Sequence, residues 1–155
     1  MKKTTLIIAV LVTAVIAAYG YRLNSSNAQS KSNTKPAAVK DDGIWTADWN
    51  TALVRAKTEK KPVFVDFYTD WCGWCKKLDK ETYTDSVVQK KLREEWVNIK
   101  VNAEDESKRG TFDGKVMTYP QLTRSFGVRG FPTLLFIDKE GKPAGAIPGF
   151  LQAKE

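Results

Sequence analysis

The sequence predicts an α/β domain, a central mixed β-sheet flanked by helices, preceded by an N-terminal hydrophobic signal or anchor segment. Three observations predict it. Two apolar runs rich in β-branched and aromatic residues, Val63 to Tyr68 and Trp96 to Val101, read as central strands, the first of them buried on both faces. Segments of helical spacing separate the strand candidates. A third run, Thr133 to Asp138, is followed by a Lys139-Glu140-Gly141-Lys142 turn and a short run from Ala144 to Ile147, the pattern of a hairpin. The resulting order αβαβαββ contains no internal repeat.

Taken in order, Trp49, Ala52, Leu53 and Ala56 recur at helical spacing, with Thr46 as the expected cap and Pro62 as the stop. The first strand, Val63 to Tyr68, follows. A helix opens at Cys72 and runs to about Lys80; Asp85 or Ser86 caps a further helical piece through Leu92 to Glu95. Beyond the second strand, Tyr119 to Phe126 has the length of a short helix. The stretch Glu104 to Thr118 reads as a loop, with a turn at Asp113-Gly114.

Charge and the N-terminus bound the function classes. The chain has 155 residues and a net charge of +7. Residues 1–40 carry six Lys or Arg and no acid, leaving 19 basic against 18 acidic side chains in the remainder. So balanced a domain gives no electrostatic case for nucleic acid. Lys2 and Lys3 followed by the apolar run Leu6 to Ala18 form an export signal. Ala18-Tyr19-Gly20 resembles a cleavage site, while the 18 uncharged residues from Thr4 to Tyr21, about 27 Å as helix, are long enough to span a bilayer. Residues 1–22 are therefore a signal anchor or a cleaved signal peptide, and both leave the domain outside the cytoplasm. Residues 23–43, mostly Ser, Asn, Ala and Lys, read as a flexible tether, and 44–155 as one domain, expected to be a monomer.

The two cysteines, Cys72 and Cys75, are the only ones in the chain. On a helical first turn, spacing i,i+3 puts their Cα atoms roughly 5 Å apart, inside the disulfide window. At the helix start, free N–H groups and the positive dipole end favour a thiolate at Cys72. Without histidine or a second cysteine pair, a closed zinc site would need carboxylates or another chain. A structural staple is the other reading, but a loop this short removes little entropy from the unfolded chain. Asp66, in an apolar strand, is costly unless paired or protonated. Asp79 lies one turn beyond Cys75, as a second acid near the dithiol or as a solvated surface acid.

Val65-Asp66-Phe67-Tyr68-x-x-Trp71-Cys72-Gly73-Trp74-Cys75-Lys76 and Phe126-Gly127-Val128-Arg129-Gly130-Phe131-Pro132-Thr133 resemble the two signature segments of the thioredoxin superfamily. The likeness runs from about Ile44 to Leu151. With the export signal and the stretch Leu78 to Asp85, it is most similar to the extracytoplasmic C-terminal domains of transmembrane thiol:disulfide interchange proteins and their stand-alone relatives. The resemblance implies a thioredoxin-like fold and a protein-disulfide oxidoreductase. Cys72 would attack and Cys75, the buried thiol, would resolve. Pro132 would be the cis-proline beside the dithiol, and Asp66 the acid serving Cys75 with Lys100 as its neighbour. Trp71, Gly73 and Trp74 would frame the sulfurs. It further implies no metal or organic cofactor, since the electrons reside on sulfur. The implied partners are disulfide-containing extracytoplasmic proteins and an integral-membrane electron donor. A binding or chaperone module with a passive disulfide is the alternative.

Three departures from the pattern stand out. Trp74 replaces the proline of thioredoxin itself, so the redox potential cannot be borrowed. The 104–118 stretch is longer than its thioredoxin counterpart, as a recognition loop or a plain insertion. The family's last helix should only be starting at Glu155, so either the sequence is truncated there or one sheet face is partly uncovered.

Overall fold

A computed structural model of the chain describes residues 43–153. The expected signal or anchor at 1–22, and all of the expected tether but Gly43, lie outside the described residues. The elements run β1 (Trp45–Thr46), α1 (Trp49–Glu59), β2 (Val63–Tyr68), α2 (Gly73–Glu81), α3 (Ser86–Glu95), β3 (Val97–Asn102), β4 (Arg109–Phe112), β5 (Lys115–Thr118), α4 (Tyr119–Ser125), β6 (Thr133–Ile137) and β7 (Pro143–Pro148).

Five strands form one sheet in the order β1-β3-β2-β6-β7. The first three run parallel, while β6 is antiparallel to β2 and β7 to β6, so the sheet is mixed as expected. Alternation along the strands sends side chains to two different layers. On one face Val63, Val65, Phe67, Val97, Ile99, Val101, Leu135 and Ile137 pack beneath Trp49, Ala52 and Ala56 of α1 and Tyr119 and Leu122 of α4. The other face carries Phe64 and Leu134 under Leu78 of α2, Tyr83, and Leu92 of α3. Asp66, Asn98 and Lys100 share this second face, which makes it the polar side of an otherwise apolar layer. Asn98 is used structurally there: its amide donates to Ile44 O at 3.0 Å and Leu92 O at 2.7 Å, tying the residue before β1 to α3.

The structure differs from the sequence reading at two places. Asp48, not Thr46, caps α1, its carboxylate accepting from Thr51 N–H at 2.9 Å. Thr46 is committed to β1, paired with Ile99. The 104–118 stretch is no simple loop but holds a β4–β5 hairpin, turned by Asp113 and Gly114, both at positive φ. After β7, residues 149–153 form neither helix nor strand, and a groove of about 460 Å³ lies open beside Phe64, Tyr83, Trp96 and Phe136.

The hairpin is held by α1. Fully buried Trp49 donates from its indole to Thr111 O at 3.0 Å, and Asn50 accepts from Thr111 N–H at 2.8 Å. Close approach explains Gly110, where a Cβ would sit 2.6 Å from Trp49 Cδ1 and 3.1 Å from Leu122 Cδ2. Gly110→Ala is therefore expected to cost about 1–3 kcal/mol by overpacking. Urea denaturation would show it as a lower midpoint at unchanged slope.

Candidate active site

Strand β2 ends at Tyr68 and a short turn delivers Cys72 to the N-terminus of α2. There Cys72 is the N-cap, with extended backbone at φ −71° and ψ 105°. Its Sγ accepts from the Cys75 N–H at 3.0 Å, filling the place that a Ser or Asp oxygen takes in other helices. The two sulfurs are joined in a disulfide, with Cα atoms 5.3 Å apart. A pair so placed can cycle between disulfide and dithiol, carrying two electrons. The expected contrast between an exposed Cys72 and a buried Cys75 is absent in this oxidised form. Both are buried, at 4% and 3% exposure, since the bridged Cys72 sulfur is turned back onto the helix end.

Around the buried pair stands an exposed aromatic rim. Trp71 is 67% exposed, and its indole N–H donates to both carboxylate oxygens of Glu104 at 3.0 Å. The ring meets Phe131 edge-on at 6.1 Å. Trp71 and Phe131 are the residues preceding Cys72 and Pro132, so this contact brings the proline loop to the dithiol. The Phe131–Pro132 peptide is cis, as the resemblance implied. Pro132 O accepts from Gly149 N–H at 2.7 Å, which continues the β6–β7 pairing beyond the strand ends. Trp74, 59% exposed, lies 5.8 Å from Phe150, with Lys77 Nζ about 5 Å from each ring. Gly73 faces open space, and a Cβ there would meet nothing within 4 Å, so crowding does not explain it.

Asp66, on β2 opposite Lys100 of β3, is fully buried. Burial raises its carboxyl from the ordinary range to about 6; Lys100, 3.7 Å away, pulls the value down and Asp79 pushes it up. Neither carboxylate oxygen has a hydrogen-bond partner among the described residues, and the same is true of the buried Tyr83 hydroxyl. Tyr83 lies close enough to Asp66 that burial and that carboxylate together raise its phenol. Lys100 donates to Asp79, so this half-exposed acid is coupled to Asp66 through a shared ammonium. Three rings surround that ammonium: Trp45 at 5.4 Å, Tyr68 at 5.2 Å and Tyr83 at 5.5 Å from their centroids.

The resemblance had paired Asp66 with Lys100, and Asp79, left open as a second acid or a surface acid, joins them through the shared ammonium, while the contact of Trp71 with the proline loop was not foreseen. Sequence reasoning missed Glu104, Phe131 and Phe150 on the rim, and Trp45, Tyr68 and Tyr83 around Lys100. Tyr68 had a usable signal, because it lies two residues from Asp66 in an alternating strand. Glu104 and Phe150 had none, being loop residues that only the fold brings in. Among the described residues no cluster of three or more His, Cys, Asp or Glu could hold a metal ion.

Comparison with known proteins places this geometry in a family. The thioredoxin-like domain model matches residues 49–155. The thiol:disulfide interchange protein DsbD of Escherichia coli K12 is 36% identical over 111 residues, 68% of this chain and 17% of that protein. DsbD of Salmonella typhi is 35% identical over 131 residues, covering 80% of this chain and 20% of its own length. The chain thus spans a fifth or less of these relatives. Among solved structures, a provisionally assigned disulphide-isomerase from Bacteroides thetaiotaomicron is 36% identical with a TM-score of 0.52, over 66% of this chain and 76% of that one. A thioredoxin-fold protein from Helicobacter pylori, 22% identical with a TM-score of 0.55 over 60% of this chain and 62% of its own, shares the fold. The two signature segments, the mixed sheet and the disulfide capping α2 agree with these matches, and the chain belongs to the thioredoxin-like domain family.

Proposed function

We propose that the chain is an extracytoplasmic thiol:disulfide oxidoreductase that works as a reductase. The observation that carries the oxidoreductase reading is the Cys72–Cys75 disulfide at the N-terminus of α2, its sulfur accepting from the Cys75 amide, while the buried Asp66 and the family likeness support the reductase direction. A thiolate at Cys72 would keep that bond, strengthened by its charge, beside the positive end of the helix. In the reduced protein Cys72 attacks a substrate disulfide; a mixed disulfide forms and one substrate thiolate leaves. Cys75, giving its proton to Asp66, then attacks the Cys72 sulfur, releases the second substrate thiolate and restores the Cys72–Cys75 bridge. Two electrons pass to the substrate, and a dithiol donor must return them.

The names of the DsbD relatives support interchange chemistry, and their likeness supports disulfide-containing extracytoplasmic proteins as substrates and an integral-membrane electron donor. The basic and apolar residues of 1–22 support export, with the segment kept as an anchor or cleaved. We read the working unit as a monomer, the rim Trp71, Trp74, Phe131 and Phe150 being the surface that meets substrate.

Insulin reduction by dithiothreitol and equilibration with glutathione test this reading. The chain is expected to accelerate insulin precipitation and to show a midpoint potential more negative than roughly −200 mV. A midpoint near about −120 mV would reverse the assigned direction. No acceleration at all would favour the binding-module alternative.

A further inference from the structure

We propose that Trp45 is a positioning residue for the redox site: with Tyr68 and Tyr83 it cages the Lys100 ammonium between Asp66 and Asp79, and so sets how much of that charge the buried acid feels. The inference rests on the oxidoreductase reading above for its importance, though not for its geometry.

The three rings come from separate parts of the chain. Trp45 is supplied by β1, Tyr68 by the end of β2, and Tyr83 by the segment after α2. Each centroid lies 5.2–5.5 Å from Nζ, within the range at which the negative face of a ring attracts a cation. Trp45 and Tyr83 also brace each other, edge to face at 5.0 Å. The register puts Trp45 opposite Asn98, two residues before Lys100 on the same side of β3. Lysine needs such walls because its charge rides on a flexible four-carbon stem. Asp79, with its side chain 47% exposed, would otherwise draw the ammonium outward into water.

Asp66 is sensitive to that movement. At 3.7 Å the ammonium acts on it through space, and an attraction that falls with distance weakens as Lys100 swings away. The charged or titratable groups facing Asp66 are Lys100 from β3, Asp79 from α2 and Tyr83 beyond α2. Tyr68 shares its strand and senses its charge, while β6 presents only Leu134 opposite it. Lys100 is the single cation in this set, so its position sets how far the effect of burial on Asp66 is offset. With one wall of the cage removed, Asp66 would hold its proton to higher pH, and the base that serves Cys75 would be available over a narrower range.

The test is the titration midpoint of the Asp66 carboxyl in the oxidised full chain, read by carbon-13 NMR. Trp45→Leu keeps the site apolar but removes the ring; Trp45→Phe restores a ring. The leucine variant is expected to move the midpoint upward by about half a pH unit, and the phenylalanine variant by clearly less. Lys100→Met sets the upper limit of the shift. A folded Trp45→Leu protein whose midpoint is unmoved, or moves down, would overturn the proposal. Should that variant fail to fold, Tyr68→Leu, which removes another wall, decides by the same criterion. Because no substrate takes part, a protein inactive towards insulin would leave this result standing, and an unmoved midpoint would leave the dithiol chemistry standing.

Discussion

Cys75→Ser is expected to accumulate mixed disulfides through Cys72 with extracytoplasmic proteins, while Cys72→Ser accumulates none. Removal of Cys75 leaves the attacking sulfur intact but takes away the only group in the chain able to displace the bound substrate. Removal of Cys72 takes away the sulfur at the helix cap, and Cys75, inside the first turn, lacks that position. Both variants should reduce insulin at roughly a hundredth of the wild-type rate or less, for these opposite reasons. Non-reducing gels separate the two causes: adducts in Cys75→Ser that vanish with dithiothreitol mark the stalled intermediate. Adducts formed instead by Cys72→Ser would exchange the roles of the two sulfurs.

Asp66→Asn is expected to give the largest change in how stability depends on pH. The folded protein holds the Asp66 carboxyl at about 6 against a starting value of 3.8. Between those values the native state binds more protons than the unfolded chain, so stability falls as pH rises through that window. A shift of this size corresponds to about 3 kcal/mol of destabilisation once the group is ionised in both states. Asparagine removes the charge but still buries an amide, so a net gain of about 1–2 kcal/mol near pH 7 is expected. Below about pH 3, where the carboxyl is largely neutral folded or unfolded, the gain should vanish. Urea unfolding of the oxidised protein at both pH values measures it. An equal gain at both would show that the buried charge is not its source. The same substitution should slow resolution by Cys75 more than attack by Cys72.

The contrast between strands and rim shows what the sequence could reveal. Val63 to Tyr68 and Thr133 to Ile137 announce themselves because burial on both faces demands unbroken apolar runs. Cys72, Cys75 and Asp66 were legible because a thiol pair at helical spacing and an acid among valines and phenylalanines each require an explanation. The β4–β5 hairpin was not legible, since Arg109 to Phe112 and Lys115 to Thr118 mix charge, glycine and threonine. Its stability comes from docking on Trp49 and Asn50, about sixty residues earlier in the chain. Trp45 shows the same limit more sharply: a two-residue strand has no periodicity to detect, and its partners Lys100 and Tyr83 lie far along the chain.

The hydrogen bond from the Cys75 amide to the Cys72 sulfur makes the first turn of α2 part of the redox couple itself. In the reduced protein the same donor faces a thiolate, and a charged acceptor is held more strongly than a neutral one. Helix order and bound electrons are then linked quantities, each shifting the other by the same free energy. A docked protein that loosens this turn withdraws stabilisation from the thiolate and turns the dithiol into a stronger reductant. One that tightens the turn makes the dithiol hold its electrons. Docking at Trp71 and Trp74 would in this way adjust the driving force of the exchange, without altering either sulfur.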